Sequence, residues 1–253
     1  MEVSGYREKK LRLKNKICVV TGSSRGIGAA IARGFAKEGA HVVITYNTNS
    51  EKAKEIAQSI GSELILKLDV KNRESIHNCF KEIAKKFGRI DVLVNNAGIN
   101  RTADFDKQTD EEWDEVIDVN ISGVFRCCQE VLPHISDYGR IINIGSISGE
   151  YGGPRTPSYA AAKQGVIALT HNVARFLGKR NICVNTLSPG VIAGEFTENS
   201  MAPDVKETVL RLMLIKRFAK YDEMVGAAIF LASDESSYLT AQTISINGGA
   251  WSH

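Results

Sequence analysis

A tyrosine and a lysine four residues apart, Tyr159 and Lys163, have the types and the spacing that proton transfer requires. On a helix this spacing places both side chains on one face. A tyrosine hydroxyl ordinarily has a pKa of ~10, and a nearby ammonium group lowers that pKa. Ser146 follows the apolar run 141–144, so its hydroxyl could hold a substrate oxygen against Tyr159. By itself the Tyr-x-x-x-Lys pattern is at least as typical of an incidental pair on a surface helix.

A second stretch with chemical potential is the glycine-rich segment 21–28, which directly follows the apolar segment 17–20. Helical periodicity then covers residues 29–38, and residues 41–46 are typical of another strand. In such a strand–turn–helix unit, glycines let a pyrophosphate approach the backbone, and the helix N-terminus favours its negative charge. The alternative is a glycine-rich packing turn without a ligand.

Strands and helices continue to alternate along the chain, which predicts right-handed crossovers and a parallel sheet covered on both faces. We therefore predict a single α/β domain of the Rossmann type, a doubly wound parallel sheet of about seven strands, over residues 14–253. Residues 1–13 are predicted to form an N-terminal tail. The other predicted strands are 63–68, 91–94, 140–144, 182–187 and 243–246, and the other predicted helices are 51–60, 73–87, 110–128, 158–177, 205–214 and 221–232.

The composition of the 253-residue chain excludes several classes of function. The formal net charge is only +3, and Lys and Arg are scattered, so nucleic-acid binding is not expected. No apolar run approaches the ~20 residues of a membrane span, and no apolar segment typical of a secretory signal follows the charged N-terminus. The five cysteines form no C-x-x-C pair, and the five histidines lie on separate predicted elements. We therefore expect a reducing, cytoplasmic location and no metal site.

In the order and spacing of its motifs, the chain resembles the short-chain dehydrogenase/reductase family. The resemblance runs from about residue 14 to residue 251 and implies an enzyme that transfers a hydride between a nicotinamide cofactor and a carbonyl or alcohol group. The motifs that carry it are T-G-S-S-R-G-I-G at 21–28, Asp69-Val70, N-N-A-G at 95–98, Asn120, Ser146, Tyr159-x-x-x-Lys163 and Pro189-Gly190.

The resemblance implies a role for each matching residue of the catalytic group. Tyr159 would donate or accept the proton, and Ser146 would orient the carbonyl or alcohol. Lys163 would hold the nicotinamide ribose and lower the pKa of Tyr159. Asn120 would anchor a proton-relay water through a distortion of its helix.

The resemblance also implies the cofactor contacts. The turn after the first strand would accept the pyrophosphate, the residues after the third strand would contact the adenine, and those after the fourth would line the adenosine ribose. The segment after the sixth strand would border the nicotinamide. The complete set is Gly22, Ser24, Arg25, Gly26, Ile27, Gly28, Asn47, Asp69, Val70, Asn95, Ala97, Gly98, Tyr159, Lys163, Pro189, Gly190 and Ile192.

The segment after the second predicted strand indicates which nicotinamide cofactor binds. It reads T-Y-N-T-N at 45–49, with no carboxylate before Glu51. An Asp or Glu in this region would bind the ribose 2′-hydroxyl of NAD. Arg25 in the glycine turn could instead pair with a 2′-phosphate. We predict NADP(H) in preference to NAD(H), the alternative being that Arg25 is a surface residue and the preference is relaxed.

Within the family, the motifs look most like those of the β-ketoacyl-[acyl carrier protein] reductases, which implies reduction of a ketone to a secondary alcohol. Two departures bear on the substrate. Of two basic residues that would dock the carrier protein, one matches Arg180, whereas the other is Asp137. Gly194 stands where a threonine would lie near the nicotinamide carboxamide, and the segments 150–157 and 195–203 would form the substrate wall.

Three further expectations remain open at this point. The substrate could be a sugar, a polyketide or another secondary-metabolite ketone in place of an acyl thioester. A dinucleotide-binding sensor without catalysis is the alternative from another class, although Asn120, Ser146, Tyr159 and Lys163 together favour an enzyme. The resemblance also implies a homotetramer formed through the helix that bears Tyr159, the helix before it and the C-terminal strand.

Overall fold

Seven parallel strands form one sheet in the order β3-β2-β1-β4-β5-β6-β7, as the alternation of elements predicts. The computed structural model describes residues 11–194, 197, 201 and 203–251. The order of the strands reverses between β1 and β4, and in open α/β sheets ligands bind in the crevice at such a switch point. The strands are β1 (Ile17–Val20), β2 (His41–Tyr46), β3 (Ile65–Lys67), β4 (Ile90–Asn95), β5 (Ile135–Ile144), β6 (Cys183–Pro189) and β7 (Thr243–Ile246).

Helices cover both faces of the sheet, and each face has its own apolar core. On one face Phe80 and Leu177 pack against strand residues such as Leu93, and on the other Phe35 packs among residues that include Val94. Strands buried on both sides require the continuous apolar runs that the sequence contains. The helices are α1 (Gly26–Lys37), α2 (Ser50–Ile60), α3 (Arg73–Phe87), α4 (Asp110–Ile117), α5 (Gly123–Glu130), α6 (Ile147–Tyr151), α7 (Pro157–Leu177), α8 (Pro203–Leu212) and α9 (Val225–Ala232).

The predicted helix 110–128 forms as two helices, α4 and α5. A π-helical turn, Asp118–Ser122, separates α4 from α5. At this turn the side-chain amide of Asn120 donates to the backbone oxygens of Val116 and Ile99, at 2.9 and 2.8 Å. The wider turn therefore carries Asn120 inward, and it is the helix distortion that the family resemblance implies at this residue.

The folded part of the chain begins earlier than the predicted boundary at residue 14. Leu13 is fully buried, and its amide donates to the backbone oxygen of Glu38 at 3.0 Å. Arg12 pairs with the Glu38 carboxylate at 3.0 Å. The last residues of the predicted tail therefore pack against the end of α1, and residues 1–10 lie outside the described residues.

Within the described ranges, no helix is both long and apolar enough to cross a membrane. The same residues contain no group of three His, Cys, Asp or Glu side chains arranged to hold a metal ion.

Candidate active site

The predicted site residues converge at the carboxyl ends of the central strands. The glycine turn follows β1, residues 95–98 end and follow β4, Ser146 follows β5, and Gly190 follows β6. A cleft of about 1200 Å³, including its open mouth, lies beside them. The parallel sheet brings these segments to one edge, because all its strands end there.

The glycine turn has a backbone shape that larger residues would disturb. Gly22 and Gly26 have φ angles of +65° and +58°, in the left-handed region. A Cβ atom on Gly28 would lie 2.5 Å from Nδ2 of Asn96 and 2.7 Å from the backbone oxygen of Gly22. Since α1 begins at Gly26, the unpaired N–H groups of its first turn are available to an anion.

Three residues without a predicted role hold this turn in place. The Asn96 amide donates to the backbone oxygens of Thr21 and Gly22 at 2.8 and 3.1 Å. The Thr21 hydroxyl accepts from the backbone N–H groups of Asn96 and Ala97, both at 2.9 Å. The amide of Gly22 donates to the Thr45 hydroxyl at 3.0 Å. Thr21 and Asn96 belong to the motifs of the sequence, but their pairing exists only because β1 and β4 are neighbours.

The side chain of Asn95 faces the interior of the sheet. It is 3% exposed, and its Nδ2 donates to Oδ1 of Asn143 at 2.8 Å and lies 3.4 Å from the Cys128 sulfur. Only the backbone of Asn95 therefore remains available for the predicted contact with the adenosine ribose. By contrast, Gly98 is exposed.

The residues predicted to contact the adenosine half surround the ends of β2 and β3. Asn47 is exposed just after β2, and Arg25 is exposed at the start of α1. Asp69 accepts a hydrogen bond from the Lys71 amide at 3.0 Å, and Val70 is buried against Gly123. Ser24 and Ile27 are half-buried in or beside the glycine turn.

Lys163 is buried within α7 under the Tyr159 ring. Its ammonium donates to the backbone oxygen of Ile144 at 2.7 Å and lies 5.5 Å from the centre of the Tyr159 ring. Burial lowers the pKa of Lys163 to about 8, because the charged form is removed from water.

Burial also raises the pKa of Tyr159 above its ordinary value, and the interaction with the Ser146 hydroxyl opposes that rise only in part. This direction is opposite to the lowering that the Tyr-x-x-x-Lys pattern predicts. The physical reason is that the Lys163 ammonium is directed at a backbone oxygen, while the phenol is removed from water. In the protein alone, Tyr159 is therefore held in its protonated form.

Ser146 stands at the N-terminus of α6, with its hydroxyl beside that of Tyr159. Its Oγ accepts a hydrogen bond from the amide of Ser148 at 3.1 Å. Since that bond uses an oxygen lone pair, the hydroxyl hydrogen can be directed at Tyr159 or at a substrate oxygen. Ser146, Tyr159 and Ile144 all line the cleft.

Asn120 provides an acceptor beside the catalytic group. Its Oδ1 is buried and has no hydrogen-bond partner among the described residues. A Cβ on Gly98 would approach this oxygen to 2.7 Å, so glycine leaves the space next to it open. An unpaired buried acceptor suits the predicted role of Asn120 in a hydrogen-bonded relay.

The cleft is mainly apolar beyond its catalytic end, and much of the predicted wall segment 195–203 lies outside the described residues. Pro189, Gly190 and Ile192, the residues predicted to border the nicotinamide, line this cleft, and so does Tyr221, for which the sequence predicts no role. The remaining wall includes Ile147, Tyr151, Pro154, Val191, Met201, Val205 and Val209, with Asn100, Thr102, Arg155, Thr156 and Thr197 as polar members.

These residues fit a dinucleotide. The glycine turn is a cradle that a Cβ on Gly28 would fill, the first turn of α1 offers N–H groups, and Lys163 offers a cation beside Tyr159.

Comparisons with known proteins agree with this geometry. A family model described as enoyl-(acyl carrier protein) reductase matches residues 22–250. The 3-oxoacyl-[acyl-carrier-protein] reductase FabG of Staphylococcus epidermidis is 40% identical over 94% of this chain and 99% of the relative. FabG of Thermotoga maritima is 42% identical, again over 94% and 99%. A solved short-chain dehydrogenase/reductase of Serratia marcescens superposes with a TM-score of 0.88 at 34% identity, covering 94% of this chain and 99% of that one. The chain therefore belongs to the short-chain dehydrogenase/reductase family and is an oxidoreductase that acts on C=O or CH–OH groups.

Proposed function

We propose that the protein reduces the ketone of a 3-oxoacyl thioester to a secondary alcohol, with NADPH as the hydride donor. The observation that carries the proposal is the pair of hydroxyl donors, Ser146 and Tyr159, at the end of a largely apolar cleft. An apolar wall suits an acyl chain, and the names of the relatives in Staphylococcus and Thermotoga point to the same substrate class.

When bound along the carboxyl ends of the strands, NADPH would supply the hydride. As the carbonyl carbon is reduced, negative charge develops on its oxygen. The Ser146 hydroxyl donates to that oxygen, and Tyr159 transfers its proton to it. Because burial raises the pKa of Tyr159, the phenol holds this proton at neutral pH, which favours the reducing direction. Lys163, beneath the ring, is positioned to stabilise the phenolate that remains.

The preference for NADPH is supported by the absence of acidic side chains from residues 45–50 and by Arg25 at the start of α1. A charge-assisted contact to a 2′-phosphate contributes about 1.5–3 kcal/mol, which is roughly ten- to a hundredfold in affinity. Arg25→Ala should therefore raise the KM for NADPH by roughly that factor and leave the KM for NADH nearly unchanged. Arg33→Ala, exposed on α1, is the matched control. A tenfold preference of the wild-type enzyme for NADH would refute this assignment.

Docking of an acyl carrier protein is not supported by the arrangement of Arg180. Its Nε donates to the Asp137 carboxylate at 2.7 Å, and its terminal nitrogens donate to the backbone oxygens of Leu132 and Ile135. The one basic residue that matches a docking position is therefore neutralised and held by its own chain. We infer that recognition rests on the thioester within the cleft, so that a coenzyme A thioester is accepted about as well as a carrier-bound one.

The test is oxidation of NADPH, followed by its absorbance, against acetoacetyl and crotonyl thioesters of coenzyme A, acetoacetyl carrier protein, keto sugars and cyclic ketones. Turnover of the acetoacetyl thioesters, lost in Tyr159→Phe, is the expected result. Reduction of the crotonyl thioester alone would mean that the enzyme acts on a carbon–carbon double bond, in line with the description of the family model. NADPH binding without turnover of any compound would favour the sensor.

We also infer that the chain forms a homotetramer. Phe125 on α5 is 42% exposed and lines an apolar hollow with Ile121 and Leu169, and Phe176 on α7 is 57% exposed. Apolar faces on these two helices suit burial against further copies of the chain. A monomer in light scattering at micromolar concentration would contradict the inference.

A further inference from the structure

Tyr221 occupies a position in the cleft to which the sequence assigns no role. It begins the 3₁₀ turn Tyr221–Met224, just before α9, and lines the cleft together with Ile27, Pro189 and Ile192. Ile27 belongs to the glycine turn, whereas Pro189 ends β6 and Ile192 belongs to the loop after it. The Tyr221 ring therefore lies between the glycine turn, which is proposed to hold the pyrophosphate, and the segment after β6, which is proposed to border the nicotinamide.

Two glycines make room for this ring. A Cβ on Gly194 would lie 2.0 Å from the Tyr221 hydroxyl oxygen, a distance that no side chain at 194 could keep. A Cβ on Gly26 would lie 3.7 Å from the edge of the same ring. The hydroxyl consequently occupies the space that a side chain at residue 194 would fill.

The surroundings hold Tyr221 in place. Arg217 pairs with both carboxylate oxygens of Glu223 at 2.7 Å, and the Lys220 amide donates to the same carboxylate at 2.8 Å. On the other side, the amide of Ala193 donates to the backbone oxygen of Ala219 at 2.8 Å. The turn that carries Tyr221 is thus attached directly to the loop that contains Gly194, so little ordering is required when a ligand binds.

The Tyr221 hydroxyl itself makes no hydrogen bond to any residue that the structure describes. A tyrosine hydroxyl at the wall of an apolar cleft is a directional donor and acceptor for a polar ligand. We propose that the Tyr221 hydroxyl hydrogen-bonds the bound dinucleotide between its pyrophosphate and its nicotinamide, and so positions the nicotinamide half. The inference rests on the proposed function, in which this cleft binds NADPH.

Tyr221→Phe tests the proposal through binding, measured by titration calorimetry with NADPH and with adenosine 2′,5′-bisphosphate, which lacks the nicotinamide half. Loss of one hydrogen bond should weaken NADPH binding by about three- to tenfold and leave the bisphosphate unaffected. Tyr238→Phe, fully exposed, should change neither affinity. An unchanged NADPH affinity, or an equal loss for both ligands, would overturn the assignment of Tyr221. Failure of the wild-type protein to bind NADPH would instead overturn the proposed function.

A second pair of variants tests the contact with Gly194. Gly194→Ala should weaken NADPH binding, because the added methyl group displaces the Tyr221 hydroxyl. Adding Tyr221→Phe to Gly194→Ala removes the closest atom, so the double variant should bind NADPH at least as well as Gly194→Ala alone. If the two losses of affinity simply add, the residues are independent and the proposed positioning is wrong.

Discussion

Replacing Lys163 with methionine removes a buried charge and keeps most of the side-chain volume. Lys163 is 3% exposed, and its ammonium has a single described hydrogen-bond acceptor, the backbone oxygen of Ile144. Its pKa is lowered to about 8 by burial, from an ordinary value of 10.5. The native state therefore holds the proton less tightly than the unfolded chain does.

The size of the expected change in stability follows from the difference between the pKa of Lys163 in the native state and its pKa in the unfolded chain. One pH unit of pKa difference corresponds to about 1.4 kcal/mol, so holding Lys163 charged costs the native state about 3 kcal/mol below pH 8. Between pH 8 and pH 10.5 the native state has lost the proton while the unfolded chain still binds it. The free energy of unfolding of the wild-type protein should therefore rise with pH across this window, relative to that of Lys163→Met, by up to about 3 kcal/mol.

The assay is urea unfolding of both proteins, at one protein concentration and several pH values from neutral to about 10. Groups distant from Lys163 that titrate over this range cancel in the difference between the two proteins. Lys81→Met, exposed on α3, is the control and should change stability little at any pH. A difference between wild type and Lys163→Met that stays constant from pH 8 to pH 10, or that moves in the opposite direction, would refute the reasoning.

Three further outcomes are expected at the catalytic group and the glycine turn. Tyr159→Phe should lower turnover by at least about a hundredfold while calorimetry still detects NADPH binding, and retention of more than a few per cent of the activity would contradict the role of Tyr159. In the reverse direction, oxidation of the alcohol should accelerate as the pH rises through the alkaline range. The reason is that the Tyr159 phenolate is the proton acceptor and that burial raises the pKa of Tyr159. A rate profile that is flat above neutral pH would exclude Tyr159 as that acceptor. Gly28→Ala should weaken NADPH binding by roughly tenfold or more, because its Cβ would lie 2.5 Å from the Asn96 amide, whereas Gly178→Ala, with open space around it, should bind normally.

The comparison of sequence and structure separates local from non-local determinants. The sheet was predictable because its central strands are buried on both faces and therefore contain continuous apolar runs, such as 17–20 and 92–94. The proximity of Tyr159 and Lys163 follows from helical spacing alone, and Ser146 approaches them because it ends a strand beside that helix. These relations depend on periodicity along the chain, which the sequence records directly.

Other properties of the site depend on atoms that are distant in the sequence. The pKa of Tyr159 is raised, not lowered, because desolvation by the whole cleft outweighs one nearby cation whose ammonium is directed at Ile144. Asn95 turns away from the cleft because Asn143, on the neighbouring strand, offers its side chain an acceptor.

The same division holds for the backbone and for the wall of the cleft. Sequence determined that a helix covers most of residues 110–130, but the position of the π-helical turn depends on where Asn120 finds its acceptors. It likewise determined that residue 194 is a glycine, whereas only the folded chain places the Tyr221 hydroxyl in the space that this glycine leaves. Composition and spacing thus determine which helices and strands form and at which end of the sheet the site residues lie. Desolvation and contacts between distant segments decide how each side chain there is charged, oriented and paired.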